Sequence, residues 1–245
     1  MATMISIVSL ILGVQVAEFA IDGAFHTKNY LNYTLGIGSQ NLTEFTLCFR
    51  FDVFYLKPIT SFMVSYTNWL SDNSLTARFR IKKEDMTLNL KVCKYQYLTQ
   101  ECSQYDLPSL QVHHDWHHVC FTLNSGQKDG TTMETVTSMF YDGKMVDKGK
   151  SVEIVQSIIY LHEILRIPFL KTLDKTVIVN DEFHELYAGG SFVIGQEQDG
   201  DQYGGFFDAA QGFSGKLAQV EMWNTELTLV DIFNIGNLHF ESILS

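Results

Sequence analysis

The segment "GQEQDGDQYGGFFDAAQ" at residues 195–211 concentrates groups that bind hard cations. Glu197, Asp199, Asp201 and Asp208 lie within twelve positions, with glutamines between them. Carboxylates this close repel one another unless water solvates them or a cation bridges them. Calcium takes about six to eight oxygen ligands from carboxylates, carbonyls and water. The pattern predicts either a solvated acidic loop or a calcium site, and we favour the calcium site.

The composition indicates a folded, β-rich protein that does not bind nucleic acid. The 245 residues suffice for one large domain or two small ones, and 18 Phe and 11 Tyr favour half-buried pleated sheets. The net charge of −11 argues against nucleic acid, because phosphates require a basic surface. Neither a phosphate-binding loop nor a complete dinucleotide fingerprint occurs, since "GIGSQN" at 36–41 lacks the third glycine.

The N-terminus has features of a secretory signal peptide. Residues 4–14 form an apolar run that is too short to span a bilayer. No Lys or Arg precedes the run, and a buried first strand is the alternative. Four cysteines, an even number, and sequons at Asn32 and Asn41 suit an extracellular chain. We predict a secreted protein with a signal peptide over residues 1–17, no transmembrane segment and glycosylation at both asparagines.

Short strands separated by turns predict an antiparallel β-sandwich. Segments 45–51 and 118–123 alternate between apolar and polar residues, and 191–195 and 216–223 add two further strands. At 139–146, Asp142-Gly143 predicts a type I′ turn between two paired strands.

One helix is predicted near the C-terminus, at "TLVDIFNIG". Thr228 is expected to cap it, Asp231 to complete a capping box and Gly236 to end it. Residues 151–190 break the strand pattern: they show helical spacing up to Pro168 and then the strand-like run "TVIV". A docking helix, an extended loop and a stretch foreign to the mature protein are all compatible with this segment.

Several segments resemble the pentraxin family, which includes C-reactive protein and serum amyloid P component. "HVCFTLNS" at 118–125 is similar to the family signature, with Leu123 at the tryptophan position. "GGSFVIGQEQD", "GGFFDAAQGFSG" and "MWNTELT" are similar to the continuous calcium-loop region, and "SYTNWLSDNS" at 65–74 to the earlier calcium loop. The similarity extends over roughly 24–150 and 188–236.

The resemblance implies a secreted, calcium-dependent pattern-recognition lectin of innate immunity. The family fold is a jelly-roll-like β-sandwich of the concanavalin A and laminin G type, and many members form flat cyclic oligomers. Two adjacent calcium ions bind phosphocholine, phosphoethanolamine or related anionic head groups. We expect a single such domain over 18–245, with an atypical insertion at about 151–188. The chain ends at Ser245, before the usual closing strands, so either the sandwich closes differently or the gene product is incomplete.

The resemblance also assigns calcium ligands residue by residue. Asp72 and Asn73 of the first calcium loop are expected to form one wall of the site. Glu197, the backbone carbonyl of Gln198 and Asp199 are expected to bridge the two ions. Asp208 and Gln211 are expected to complete the coordination of the second ion. Compared with familiar mammalian members, about two extra residues follow Asp199. Asp201, which lies among them, is either an additional ligand or a solvated side chain.

By the same resemblance, Cys48 pairs with Cys120 across a sheet, which leaves Cys93 and Cys102 as a local clip. Four free thiols in a cytosolic chain are the alternative. The segment "TARFRIKKED" at 76–85 contains Phe79, which could contact a choline group, but the segment is otherwise strongly basic. A basic strand there favours more anionic ligands, such as phosphorylated or sialylated sugars.

Three other functions compete with the lectin. A glycoside hydrolase would need Glu-x-Asp-x-x-Glu, but Gln202 follows Glu197 and Asp199, and an amide cannot act as a general acid. Zinc could bind the histidines of "HHDWHH", although alternation along a strand would separate His113, His114, His117 and His118. Because the required general acid is missing, we expect no enzymatic activity. A laminin G-like adhesion module without calcium-dependent binding is the remaining alternative.

Overall fold

Two antiparallel sheets form the frame of the computed structural model. It describes residues 4–5, 16–19, 30–33, 40–55, 60–68, 71–82, 85–96, 99–107, 116–128, 132–142, 173–180, 185–199 and 207–238. In the described chain the first sheet has seven strands, in the order β1-β13-β4-β9-β10-β11, with β2 also paired to β13. Their bounds are β1 Met4–Ile5, β2 Val16–Phe19, β4 Glu44–Val53, β9 His117–Lys128, β10 Thr132–Asp142, β11 Leu173–Asn180 and β13 Gly215–Trp223.

The second sheet carries the segments with the predicted calcium ligands. Its six described strands run in the order β3-β12-β5-β6-β7-β8. Their bounds are β3 Leu31–Tyr33, β5 Thr60–Asn68, β6 Ser71–Lys82, β7 Asp85–Gln96, β8 Thr99–Leu107 and β12 Ser191–Ile194. Each named strand pairing in both sheets is antiparallel. The predicted antiparallel β-sandwich is confirmed.

The core lies between the sheets and follows the alternation of the sequence. Phe45, Leu47, Phe49 and Phe51 of β4 belong to one buried cluster, together with alternate residues of β5, β6, β7 and β9. Successive side chains of a strand point to opposite faces, so the intervening residues of β4 face away from this core. The predicted strands at 45–51 and 118–123 are therefore confirmed in both position and facing.

The outer face of the first sheet holds the disulfide and the helix. Cys48 and Cys120 lie opposite each other in β4 and β9 and form a disulfide. Helix α1, Leu229–Leu238, packs over it through Ile232. The predicted Cys48–Cys120 bond is confirmed.

The capping of α1 is as predicted, but its end is not. The Thr228 N–H donates to Asp231 Oδ2 at 3.1 Å, and the Asp231 N–H donates to Thr228 Oγ1 at 3.2 Å. These two bonds form a capping box. The helix continues past Gly236 to Leu238, so that glycine does not act as its stop.

The predicted Asp142-Gly143 hairpin is wrong. Met139 pairs with Phe121 of β9 on one side and with Thr176 of β11 on the other. A strand has only two hydrogen-bonding edges, and at Met139 both are occupied, by β9 and by β11. The run "TVIV" at 176–179 lies within β11, and residues 143–172 lie outside the described residues.

The N-terminal strands overlap the predicted signal peptide. Met4–Ile5 pairs with the end of β13, and Val16–Phe19 pairs with its beginning. The predicted boundary after Ala17 falls inside β2, and the signal peptide remains a prediction. The described chain contains no helix of the length and hydrophobicity needed to cross a membrane.

Candidate functional site

Gly195 redirects the chain at the end of β12. Its φ is +89°, in the region that favours glycine, and a Cβ would lie 2.4 Å from the Phe19 ring. Its N–H donates to the Met63 carbonyl at 2.8 Å, and its carbonyl accepts from the Phe213 N–H at 2.9 Å. These bonds fix the start of the acidic segment against β5.

The side chain of Gln198 anchors that segment inside the protein. It is fully buried. Its Nε2 donates to the carbonyls of Ser65 (3.2 Å) and Ser191 (2.9 Å), and its Oε1 accepts from Ser191 Oγ at 3.0 Å. Because the carboxamide is committed to these bonds, Gln198 can serve a cation only through its backbone carbonyl, as the resemblance implied.

A hydrogen bond joins the two predicted ligand segments, which are 124 residues apart in sequence. Asn73, at the start of β6, donates from Nδ2 to Glu197 Oε1 at 2.8 Å. Its Oδ1 accepts from Ser65 Oγ at 3.3 Å, and its backbone N–H donates to Thr67 Oγ1 at 3.2 Å. Asn73 has a φ of +52°, which asparagine tolerates better than most residues. The described structure therefore brings Asn73, Glu197 and Gln198 together.

Glu197 is a buried carboxylate close to a second negative charge, that of Asp199. It is 8% exposed. Burial and then the neighbouring charge of Asp199 raise the pKa of Glu197 to about 7, against the opposing effects of Arg78, the Asn73 hydrogen bond and Lys91. A carboxylate that lacks sufficient positive charge around it is a suitable position for a cation.

The last predicted ligands lie on a short 3-10 turn at Ala209–Gln211. Asp208 is exposed and caps the turn, since its Oδ1 accepts from the Ala210 N–H at 2.8 Å. Gln211 is half-buried, and its Oε1 is a buried atom without a hydrogen-bond partner in the described chain. Gly212 bridges to Phe62 of β5, which places this turn beside the same strand. An orphaned amide oxygen fits the ligand preference of calcium.

The carboxylates themselves do not converge on one point. Among the described side chains, Glu197, Asp199 and Asp208 do not form a group with ligand atoms within 4.8 Å of one another. Asp72 lies in β6, but its side chain is outside the described set, as is the whole of Asp201. Next to Glu197 the structure places the Asn73 carboxamide and the backbone of Gln198. Amide and backbone carbonyl oxygens are calcium ligands along with carboxylates.

A basic side chain lies on the same face of the second sheet. Arg78 Nε donates to Asn89 Oδ1 of β7 at 2.9 Å, and its guanidinium carbon lies 5.4 Å from the Phe62 ring centroid. Thr76, two residues earlier, pairs with Ser65 on one side and Lys91 on the other. Its Oγ1 is buried and has no hydrogen-bond partner among the described residues.

The histidines do not support a zinc site within the described chain. His117 Nδ1 is 2.8 Å from the Tyr141 hydroxyl, whereas His118 lies on the opposite face, with Nε2 3.5 Å from Cys120 Sγ. Cys48, His118 and Cys120 lie close enough together to hold a metal, but the two cysteines form a disulfide. His113 and His114 lie outside the described residues.

The remaining predicted sites lie on strands or next to them. Cys93 is disulfide-bonded, and Cys102 is directly opposite it across β7 and β8. Asn32 and Asn41 are both exposed, and Asn41 Oδ1 accepts from the Ala188 N–H at 3.0 Å. Their glycosylation remains a prediction.

The sequence analysis did not identify the residues that position the predicted calcium-coordinating side chains. Ser65 and Ser191 carry most of the bonds to Gln198 and Asn73, yet serine in a strand has no distinctive pattern. Ser65 shares its strand face with Thr67, both polar at alternate positions of an otherwise apolar strand. That alternation was the available indication that this face of β5 supports polar groups.

Known proteins similar to this chain share both its sequence features and its fold. The sequence model of the Pentaxin family matches residues 170–242. C-reactive protein 1.4 of Limulus polyphemus is 28% identical over 188 residues, which is 76% of this chain and 59% of that protein. Neuronal pentraxin-2 of Mus musculus is 29% identical over 122 residues, half of this chain and only a fifth of that protein.

The crystal structure of the native heptameric SAP-like pentraxin from Limulus polyphemus superposes with a TM-score of 0.50 at 20% identity. It covers 85% of this chain and 75% of that one. The family match includes β11 to α1, and with them the predicted calcium-loop segment. The chain is therefore similar to pentraxins in the sequence of its C-terminal part and in its fold.

Proposed function

We propose that this protein is a pentraxin, and that it is a secreted, calcium-dependent recognition protein that binds anionic head groups. The observation that carries the proposal is the Asn73–Glu197 hydrogen bond, because it joins the two segments to which the resemblance assigns ligands. The elevated pKa of Glu197 and the orphaned Gln211 Oε1 also support a cation at this face. The family match supplies the lectin role as precedent.

Two adjacent calcium ions would be held by the predicted ligand set. Asp72 and Asn73 would supply one side, Glu197, the Gln198 carbonyl and Asp199 the bridge, and Asp208 with Gln211 the rest. When bound, calcium supplies open coordination positions for ligand oxygens. Gln198 keeps its neighbours in place, because its buried carboxamide is bonded to two strands.

Asn73 has to rearrange for its oxygen to act as a ligand. Its Nδ2 now faces Glu197, and its Oδ1 faces Ser65. A half-turn of the carboxamide exchanges the two atoms, so that Oδ1 faces Glu197 and Nδ2 faces Ser65. The Ser65 hydroxyl can either donate or accept, so it remains a partner in both orientations.

The ligands expected are phosphocholine, phosphoethanolamine or acidic sugars, and no catalysis is proposed. We would pass the folded, secreted chain over immobilised phosphocholine and phosphoethanolamine, first with calcium and then with chelator. Asp199→Asn should abolish calcium-dependent capture, since it removes a bridging charge. Glu18→Gln is the matched control, because Glu18 is an exposed carboxylate on the first sheet that pairs with Lys216.

Each outcome of the capture experiment separates the candidate functions. Capture by neither resin, combined with calcium-dependent thermal stabilisation, would keep the metal site and redirect the search to sugars or proteins. Absence of both effects would leave the laminin G-like adhesion module as the better description. Capture that persists in chelator would contradict the calcium mechanism.

Secretion and assembly are also part of the proposal. Residues 1–17 are proposed as a signal peptide, and the intact mass of the chain from culture medium tests that cleavage. A cyclic homo-oligomer is proposed by analogy with the heptameric Limulus protein. Light scattering that gives a monomer would contradict it.

A further inference from the structure

We infer that Arg78 and Lys91 form a second anion-binding position beside the calcium site, so that the preferred ligand carries two anionic groups. The inference rests on the proposed calcium site, which would take the first group. It names the class of ligand: a phosphate or carboxylate joined by a short spacer to another anionic group, as in acidic saccharides.

Arg78 is held in place by three strands. From β6 its Nε donates to Asn89 of β7, and its guanidinium stacks over Phe62 of β5. Residues 62, 78 and 89 are direct neighbours in register, so all three side chains lie on one face. A guanidinium fixed in this way loses little freedom when it binds an anion, and its planar donors suit carboxylate and phosphate oxygens.

This cation belongs to the same electrostatic environment as the calcium ligands. Two residues before Arg78, Thr76 pairs with Lys91 on one side and with Ser65 on the other. The Ser65 hydroxyl donates to Asn73, which in turn donates to Glu197. The positive charges of Arg78 and Lys91 also lower the pKa of Glu197. Arg78 is only partly buried, so it remains accessible from solvent. The 3-10 turn that carries Gln211 lies next to Phe62, the residue beneath the guanidinium.

Thr76 lies between Arg78 and the predicted calcium ligands. It shares the face of Arg78, and it lies opposite Ser65, whose hydroxyl contacts Asn73. Its buried Oγ1 has no partner in the described chain, although buried hydroxyls ordinarily have one. Because Thr76 is fully buried, its hydroxyl marks polar interior between Arg78 and Asn73 and is not itself a contact for a ligand from solvent.

The same geometry disfavours a ligand with a cationic end. A quaternary ammonium next to the phosphate would approach Arg78 and Lys91, and like charges repel. The chain should therefore prefer a dianionic ligand to phosphocholine, and an uncharged end should be intermediate.

The test compares matched ligands in the presence of calcium. Carboxyalkylphosphonates with two to four methylenes carry two anionic groups, alkylphosphonates of equal length carry one, and phosphocholine adds a cation. Titration calorimetry should show the best carboxyalkylphosphonate binding about tenfold or more tighter than its alkyl partner, as expected for a charge-assisted hydrogen bond.

Variants assign the preference to Arg78. Arg78→Gln should remove the advantage of the carboxylate, while Arg78→Lys should keep part of it. Arg80→Gln is the matched control, because Arg80 lies two residues further along β6 and is opposite Thr60, whereas Arg78 is opposite Phe62. Thermal melting of each variant separates loss of binding from loss of folding.

Calcium binding itself is measured separately, as a calcium-dependent thermal shift in the absence of phosphonate. Failure of this inference can therefore be distinguished from failure of the calcium site. Equal binding of the matched phosphonates by a calcium-responsive chain would overturn the second anion position. A carboxylate preference that survives chelator and is lost in Arg78→Gln would uphold that position and overturn the calcium mechanism. A preference unchanged in Arg78→Gln would also overturn the assignment.

Discussion

Gln198 and Ser191 are joined by two hydrogen bonds inside the second sheet. Ser191 Oγ donates to Gln198 Oε1 at 3.0 Å, and Gln198 Nε2 donates to the Ser191 carbonyl at 2.9 Å. The same Nε2 reaches the Ser65 carbonyl of β5. A buried residue without a charge thus positions Glu197 and Asp199 on either side of it.

Replacing Gln198 by Leu should weaken both stability and calcium binding. The buried hydroxyl of Ser191 and the carbonyl of Ser65 would each lose a partner, at a cost of about 2–3 kcal/mol of unfolding free energy. Urea unfolding measures the stability, and calcium titration followed by thermal shift measures the metal response. Gln40→Leu is the control, because Gln40 is exposed. Equal effects of the two substitutions would contradict the anchoring role.

Alternation along the strands made much of the sandwich predictable from sequence. Phe49 and Phe121 each belong to a strict apolar-polar repeat, so their facing could be predicted before any pairing was known. The Asp142-Gly143 turn failed because a local turn preference carries no information about distant strands, and β11 occupies the edge. Tertiary pairing overrides local propensity in sheets.

The candidate site was only partly predictable, for a related reason. Acidic residues and amides are recognisable as cation ligands by their chemistry, so Glu197 and Asn73 could be named. Ser65 and Ser191 act through hydrogen bonds to Gln198 that depend on strand register, which the sequence does not encode locally. The contact of Asn73 with Glu197 likewise requires the complete fold.

The capping box of α1 should contribute measurably to global stability. Thr228→Ala removes the acceptor of the Asp231 N–H and should cost about 1 kcal/mol in guanidinium unfolding. Because the two residues bond reciprocally, Asp231→Ala should lower the unfolding free energy much less in the Thr228→Ala background than in the wild-type chain. Val230→Ala, at a 66% exposed position, is the control. Additive losses would show that the two residues act independently.

The Cys48–Cys120 disulfide should be a large contribution to stability. It closes a separation of 72 residues, and the chain-entropy relation gives about 4 kcal/mol for such a loop. The double variant Cys48→Ala/Cys120→Ala should show that loss in guanidinium unfolding without reductant, a condition that keeps Cys93 disulfide-bonded. A loss below about 1 kcal/mol would indicate that residual structure already constrains the unfolded chain.

His118 should make the fold sensitive to acid. Burial first, and the Arg50 charge second, lower the pKa of His118 from 6.5 to about 3. Above pH 6.5 the imidazole is neutral in both states and has no effect on the pH dependence. Below pH 6.5 this histidine binds a proton in the unfolded chain but not in the folded chain. The free energy of unfolding therefore falls as the pH is lowered to about 3.

Comparison with His118→Gln isolates this effect from the other titrating groups. Between about pH 6 and pH 4, wild type should lose up to about 1.4 kcal/mol per pH unit relative to the variant, which corresponds to one proton. Urea unfolding at several pH values measures the difference, and the NMR shifts of the imidazole should remain those of the neutral ring down to pH 4.5. Parallel pH profiles for the two proteins, or an imidazole that titrates near pH 6.5 in the folded state, would show that Arg50 and the surrounding sheet do not exclude the proton.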